Sequence, residues 1–545
     1  MAPSTTFPLL HDTCIADGNG GDNDTVVLEA DAHNSISHKT GKHASSPTYC
    51  NVVSIPPSLI YSRNKYRGCH SALLRSLSAA GVKFLRYAIV DAYNSMRCKV
   101  VPLSHAMKAL RNHDRYVSSS LPSPMDHPVS IAEAVFAGLQ IHVDHLVPSS
   151  NLTARNVLTL QPDFSSLRIL PYAPATATIM CTGHNQYTRE LSPLCTRGLL
   201  ERVLQVARED IGVEFSVGAE LEFVLFSSGS KTNMSGKDVP QPVDCSKYAD
   251  SQALNEQEDF INSLYDQLQK QDIDVELIQT ECAPGQFEVV LAYSNNVLQV
   301  ADDIVLAQET IRACAKQHGM KALFLPKTSM DEAGSGLHLH FSFQELAHSS
   351  TRARSKQSSK DDDGNAFSDP TQPHGISLQG GAFIEGIMTH LSSLLSFTIP
   401  TINSFRRMGP GNFTGHDASW SIEDKEVPIR VCMDSTSQKI TNVEYKLLDA
   451  TANIYLALAV LLSAGMEGMK SGKKLRPMAS DGGGTGEPLP ESLKESLDLL
   501  KKDHFLLSVL GPELSTAYIA VRESDARDGE NSTLEEEIML AFKRA

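Results

Sequence analysis

The chain has 545 residues, 41% of them hydrophobic, enough to bury a large core and to divide into two folded units, because single cores seldom grow past about 250–300 residues. Its 64 acidic against 48 basic side chains leave a formal charge of −16, which excludes nucleic acid or an anionic membrane as main partner but permits a local basic pocket for a phosphorylated ligand. No apolar stretch reaches the roughly 18 residues that span a bilayer, Met1–Pro8 lacks a secretory pattern, and ten cysteines without CxxC spacing fit neither a zinc site nor a disulfide framework; reduced, mainly packed thiols and a cytoplasmic location are expected.

Residues 1–50 are polar and without apolar periodicity, a composition that cannot offset its own ordering entropy, so a disordered tail is expected. Ser71–Ala80 reads as a helix, and Val82–Val90 and Arg97–Pro102 as strands around a polar turn, which makes residues 51–185 a small N-terminal domain with a mixed sheet. The apolar run Thr176–Cys181 and the helical periodicity of Pro193–Ile211 mark the passage into a larger domain over 186–545. From Val217 short strands alternate with helices expected over Asp259–Gln271, Val300–His318, Gly380–Leu395 and Ala450–Lys470, an α+β or α/β pattern. Three polar inserts, Ser227–Gln257 (227–257), His348–His374 (348–374) and Ser471–Leu489 (471–489), are expected to form mobile surface loops.

Two i,i+2 pairs carry the chemistry: Glu220 and Glu222 in Gly-Ala-Glu-Leu-Glu-Phe, and His338 and His340 in Gly-Ser-Gly-Leu-His-Leu-His-Phe. Strand residues two apart share a face, so each motif sets a polar row inside an apolar element. Two like carboxylates buried side by side are unfavourable unless a cation or proton offsets them, and a divalent metal is the simplest offset. Further acids and cations stand in Glu281-Cys-Ala-Pro-Gly-Gln-Phe-Glu288, Phe324-Leu-Pro-Lys327, Asn403-Ser-Phe-Arg-Arg407, Trp420–Lys425, Ile429-Arg430 and Val443–Asp449. Carboxylates with one imidazole and no thiol suit Mg²⁺ or Mn²⁺, and the separate cationic side chains suggest phosphate oxygens nearby. A lone histidine in an apolar run is ordinarily a satisfied core residue, but the adjoining Gly-Ser-Gly and the acids make His338 a ligand candidate. Trp420 reads as a packing anchor.

In order and spacing these segments resemble the glutamine synthetase family, from about Val82 to Lys470 and most strongly from Gly218 onward. The resemblance implies an α+β fold, with a small β-grasp-like N-terminal domain packed against a neighbouring subunit's catalytic domain of curved antiparallel sheet and surrounding helices, in a homo-oligomeric ring. It implies that Glu222, Glu281 and Glu288 hold one divalent ion and that Glu220, His338 and Glu444 hold the other. It puts Gly334 against the amino acid substrate, His340, Ser342 and Lys439 toward ATP, Arg407 on the substrate carboxylate, and Lys425 and Arg430 near the transferring phosphate, with the Arg407–Gly415 stretch as a flap over the site. The implied reaction is amide formation through an acyl phosphate. Phosphorylation by ATP is needed because hydroxide is a poor leaving group, and two metals would offset the phosphate charge.

Four departures fall on substrate or phosphate contacts: Ala333 where the family has Asn before Gly-Ser-Gly, Phe413 (or Asn412, with a one-residue shift) where the flap has an ammonium-deprotonating Glu, and Lys425 and Lys446 where the pattern has Arg. Lysine keeps the charge but loses the bidentate fork. Phe413 removes a site for ammonium and adds apolar cover for an organic amine, so the expected nucleophile is a primary amine, and the chain looks closer to γ-glutamyl-polyamine ligases and fungal glutamine-synthetase-like proteins than to ammonia users. Two other readings compete: a catalytically silent sensor or scaffold, and a phosphagen-type kinase that stops at phosphoryl transfer.

Overall fold

The computed structural model describes residues 70–108, 129–141, 143–232, 238–245, 247–346, 364–409, 412–479 and 486–545. All belong to one compact unit, Val52–Ala545. The polar tail, the start of the N-terminal segment and residues 347–363 of the second insert lie outside the described residues.

After the helix His70–Ala79 the chain forms β1 (Phe84–Val90), β2 (Met96–Pro102), β3 (Ser130–Ala132), β4 (Val157–Pro162), β5 (Arg168–Ile169) and β6 (Thr176–Asn185). β1 pairs antiparallel with β2 and parallel with β6, giving a mixed sheet in the order β2-β1-β6-β4-β3 with β5 added to β6. The helix Thr196–Val206 then leads out. Its buried Arg197 grips both oxygens of Asp302 at 2.9 and 2.7 Å and Asp163 at 2.8 Å, while Tyr455 donates to Asp302 at 2.7 Å. This paired, hydrogen-bonded guanidinium ties the helices Val297–Gln317 and Ile454–Ser471 to the segment before β5; a buried charge is tolerated only on such terms.

The second sheet is built from β7 (Val213–Thr232), β8 (Asp238–Pro242), β9 (Val275–Thr280), β10 (Gln286–Ser294), β11 (Met320–Leu323), β12 (Leu337–Glu345), β13 (Trp420–Ile422), β14 (Ile429–Met433) and β15 (Ile440–Tyr445). Its order is β13-β14-β15-β12-β7-β10-β9, with β8 and β11 also on β7. Period-two alternation divides every central strand. Val213, Phe215, Val217, Ala219, Leu221 and Phe223 of β7, Phe287 and Val289 of β10, Leu337, Leu339 and Phe341 of β12, and Val443 and Tyr445 of β15 are buried on the helix-covered side. A one-residue slip would turn this apolar set outward, so the register is strongly specified. The intervening residues, Glu220, Glu222, Glu288, His338, His340 and Glu444 among them, share the opposite face.

Three expectations need correction. The helix Ile454–Ser471 is, by length and composition, apolar enough to cross a membrane, against the reading that no stretch reaches that length; 78% of it is buried inside the protein, where it packs on Leu378–Thr398 as a core helix. The first insert is not a loop, because Ser227–Thr232 prolongs β7 into a hairpin with β8 and Ser251–Glu256 is helical. Residues 364–374 of the second insert are also anchored: Phe367 is fully buried and Asn365 donates to the carbonyls of Ile440 and Thr441. The seven described cysteines are free thiols, of which Cys181, Cys195, Cys314 and Cys432 are buried and Cys98, Cys245 and Cys282 exposed, in keeping with mainly packed thiols.

Candidate active site on the second sheet

Strand register assembles the site as a grid. Glu222 lies opposite Glu288, Glu220 opposite His338, and His340 opposite Glu444, which in turn faces Arg430. Neighbouring strands are about 4.8 Å apart, close enough for these side chains to meet.

At the histidine end His338 Nδ1 is 3.1 Å from Glu220 Oε2 and 3.3 Å from Glu444 Oε1. His338 Nε2 accepts from Arg407 Nη2 at 3.0 Å, which leaves the proton on Nδ1. His340 Nε2 is 3.1 Å from Glu220 Oε1, and its Nδ1 is 2.8 Å from Asn442 Oδ1. Among the described residues, ligand atoms of Glu220, His340 and Glu444 come within 4.8 Å of one another, so His340, expected on the nucleotide side, also shares Glu220. Glu444 receives Lys446 Nζ at 3.2 Å and a 2.6 Å ion-pair contact from Arg430 Nε that is not aligned as a hydrogen bond. Burial acts to raise both Glu220 and Glu444. The histidines on Glu220, and the histidines, Lys446 and Arg430 on Glu444, outweigh it and hold both carboxyls below the ordinary range.

The acidic end is the reverse. Gln286 Nε2 and Gly336 N donate to Glu222 Oε2 at 3.0 and 2.9 Å, and Gln279 Nε2 bridges Glu281 and Glu288 at 2.9 and 3.0 Å. Burial, then the charge of Glu222, pushes Glu281 up to about 7; burial, then Glu220, Glu222 and Glu281, pushes Glu288 up to about 9. Amide donors orient these oxygens without supplying positive charge. Hard oxygen donors crowded against their own repulsion are the chemistry that suits a divalent cation, while among the described residues the trio that brings ligand atoms within 4.8 Å of one another is Glu220, His340 and Glu444, not either of the sets expected from the sequence.

The Gly-Ser-Gly motif has a steric reason. A Cβ on Gly334 would lie 2.6 Å from both Pro326 O and Arg407 Cγ, and one on Gly336 would lie 2.6 Å from Arg407 Nη2 and His338 Nε2. Without those carbons Arg407 enters beneath the motif, almost fully buried, and donates to the carbonyls of Leu448 and Lys446 at 3.0 and 3.2 Å. Ser342 continues the histidine row, half-buried. Lys425 is exposed with its charge acting on Glu281, Lys439 is exposed on the turn between β14 and β15, and Ala333 is half-buried beside the motif. Phe413 is 47% exposed at φ +55°.

Gln279, Gln286, Asn442 and Tyr293 were not singled out from the sequence. Gln286 stands two before Glu288 and Gln279 two before Glu281, so the i,i+2 rule that picked out the glutamates would have found both. Tyr293, 72% exposed and packed on Gly218 beside His340, follows a register shift after Leu291 that breaks the alternation and hides it.

A curled sheet presenting carboxylates, imidazoles and buried cations on one face is the architecture of a metal-dependent phosphoryl-transferring ligase. The family model for the glutamine synthetase catalytic domain matches residues 193–540, more than half of the chain. The chain is 31% identical over 386 residues to the glutamine synthetase of Thermotoga maritima, covering 68% of this chain and 81% of that protein. It is 27% identical over 478 residues to the γ-glutamylpolyamine synthetase GlnA3 of Streptomyces coelicolor, covering 84% and 92%. A crystal structure of a novel glutamine synthase homologue superposes with a TM-score of 0.69 at 22% identity, over 85% of this chain and 99% of the other. The protein therefore belongs to the glutamine synthetase family, whose members are ATP-dependent ligases.

Proposed function

We propose that this chain joins the side-chain carboxylate of glutamate, or of a similar acid, to a primary amine, using ATP to form an acyl phosphate that the amine displaces. The observation that carries the reading is the pairing of a cation-demanding acidic end with a flap residue, Phe413, that is apolar and half-exposed where the family resemblance expects a carboxylate. When bound, divalent ions would offset charge on the nucleotide and on the carboxylate being phosphorylated. Glu222, Glu281 and Glu288 hold one ion in this reading, and Glu220, His338 and Glu444 the other. Arg407, fixed beneath Gly334, orients the acid; Arg430, Lys425 and Lys446 stabilise the transferring phosphate. His340, Ser342 and Lys439 meet the nucleotide, and the exposed ring of Tyr293 offers a base a flat platform beside His340. Phe413 covers the amine and helps keep water from the acyl phosphate.

An oligomeric ring in the cytoplasm, with Mg²⁺ or Mn²⁺ as the ion, belongs to the same proposal. A silent scaffold is disfavoured physically, since a protein released from catalysis has no reason to retain carboxylates that repel one another. The test is product mass spectrometry after incubation with ATP, Mg²⁺ or Mn²⁺, glutamate and a panel of amines including ammonium. Amides of organic amines are the expected product; strong turnover with ammonium alone would refute the amine assignment, and ADP release without amide would indicate a kinase.

A further inference from the structure

Lys327, the last residue of Phe-Leu-Pro-Lys, is only 2% exposed, yet its ammonium donates to neutral oxygens: the carbonyl of Glu332 at 2.5 Å and Asn412 Oδ1 at 3.0 Å. Burial, then the charge of Arg407, holds it below the ordinary lysine range, so a neutral bridging side chain would be less costly at this position. Its backbone is fixed on both sides by Asn403, which accepts from Lys327 N at 2.7 Å and donates to Lys327 O at 3.0 Å. Asn403 also donates to Glu537 at 2.7 Å, and Arg406 holds the same carboxylate, so the C-terminal helix Leu534–Arg544 supports the lysine. The preceding Pro326 carbonyl abuts Gly334.

On the other side of Asn412 is Phe413, in the left-handed region that a bulky residue rarely adopts and that persists only where neighbours over-determine it. Those neighbours are Asn412, held by Lys327, and Thr414, which is fully buried. Anchored on either side, the ring is directed outward.

We propose that Lys327 is a positioning residue that fixes Asn412 and thereby presents Phe413 to the incoming amine, so that amine affinity depends on a contact remote from the amine itself. The inference rests on the amine-ligase reading and deepens it.

The test is a double-mutant cycle on the full chain with Lys327→Met, Asn412→Leu and the pair, reading KM for the amine, KM for the acid, and phosphate released per amide formed. Each single variant should raise the amine KM roughly tenfold, the loss of one charge-assisted hydrogen bond, and release extra phosphate per amide, with the acid KM unchanged. The double variant should be no worse than either single variant, because one contact is lost in all three. Multiplying losses, or an unchanged amine KM in both single variants, would overturn the proposal. If Lys327→Met does not fold, Asn412→Leu carries the kinetic test with thermal melting as its control. If the wild type makes no amide, the ligase reading fails separately, and hydrogen exchange at 412–415 still decides the latch: faster exchange in Asn412→Leu supports it and unchanged exchange overturns it.

Discussion

The two ends of the site occupy the same sheet face and share β7, one drawing its other residues from β12, β14 and β15 and the other from β10 and the residue after β9, yet their electrostatics are opposite. Around Glu220 and Glu444 the protein supplies its own hydrogen-bond donors and counter-charge, His338 donating and His340, Lys446 and Arg430 adding to it, and both carboxyls are held low. Around Glu281 and Glu288 it supplies amide hydrogen bonds and the charge of the exposed Lys425, which burial and the neighbouring carboxylates outweigh, and both carboxyls are driven high. The protein's own groups thus leave the acidic end uncompensated and compensate the histidine end.

Glu222→Ala gives the largest effect. It removes an oxygen donor from the acidic end, and amide formation should fall below detection in the product assay while the protein remains folded; retained turnover would break the distinction between the ends. Next, Lys446→Met at the histidine end leaves buried Glu444 short of compensation and should cost about 3 kcal/mol in denaturant unfolding. Glu288→Gln at the other end should do the opposite, raising the melting temperature in chelator while abolishing the rise that Mg²⁺ gives the parent.

The pH dependence follows from the same contrast. Glu281 and Glu288 have folded values of about 7 and about 9, above the ordinary 4.5, so their contribution to stability is complete below the unfolded value and is lost as pH rises through 7 and then 9. Chelator-treated protein should therefore melt at falling temperature from about pH 6 to about pH 9, and saturating Mg²⁺ should flatten that slope. Glu220 and Glu444, held low, contribute above the ordinary carboxylate value and lose that contribution on acidification. The smallest effect is expected at the mouth: Phe413→Ala should raise the amine KM by about tenfold or less, in keeping with loss of a half-exposed apolar cover.

Much of this contrast is legible in the chain because alternation writes the face of a strand directly into sequence. Glu220/Glu222 and His338/His340 announce a polar row, and the helices over Val300–His318 and Ala450–Lys470 lie within a few residues of Val297–Gln317 and Ile454–Ser471. What alternation cannot write is long-range pairing. That Lys446 and Arg430 neutralise Glu444, or that Lys327 reaches Asn412 some 85 residues away, depends on strand order and on the glycines that let Arg407 through. The hairpin in the first insert was hidden for another reason: its Ser, Lys and Gly are poor strand formers, and pairing with β7 overrides their propensity.

The central claim is that the acidic end requires a cation and the face as a whole holds two. Anomalous diffraction from crystals grown with Mn²⁺ and a non-hydrolysable ATP analogue tests it most directly. The account predicts two peaks per chain, one among Glu222, Glu281 and Glu288 and the other among Glu220, His338 and Glu444; a map with no peak at the acidic end would contradict it.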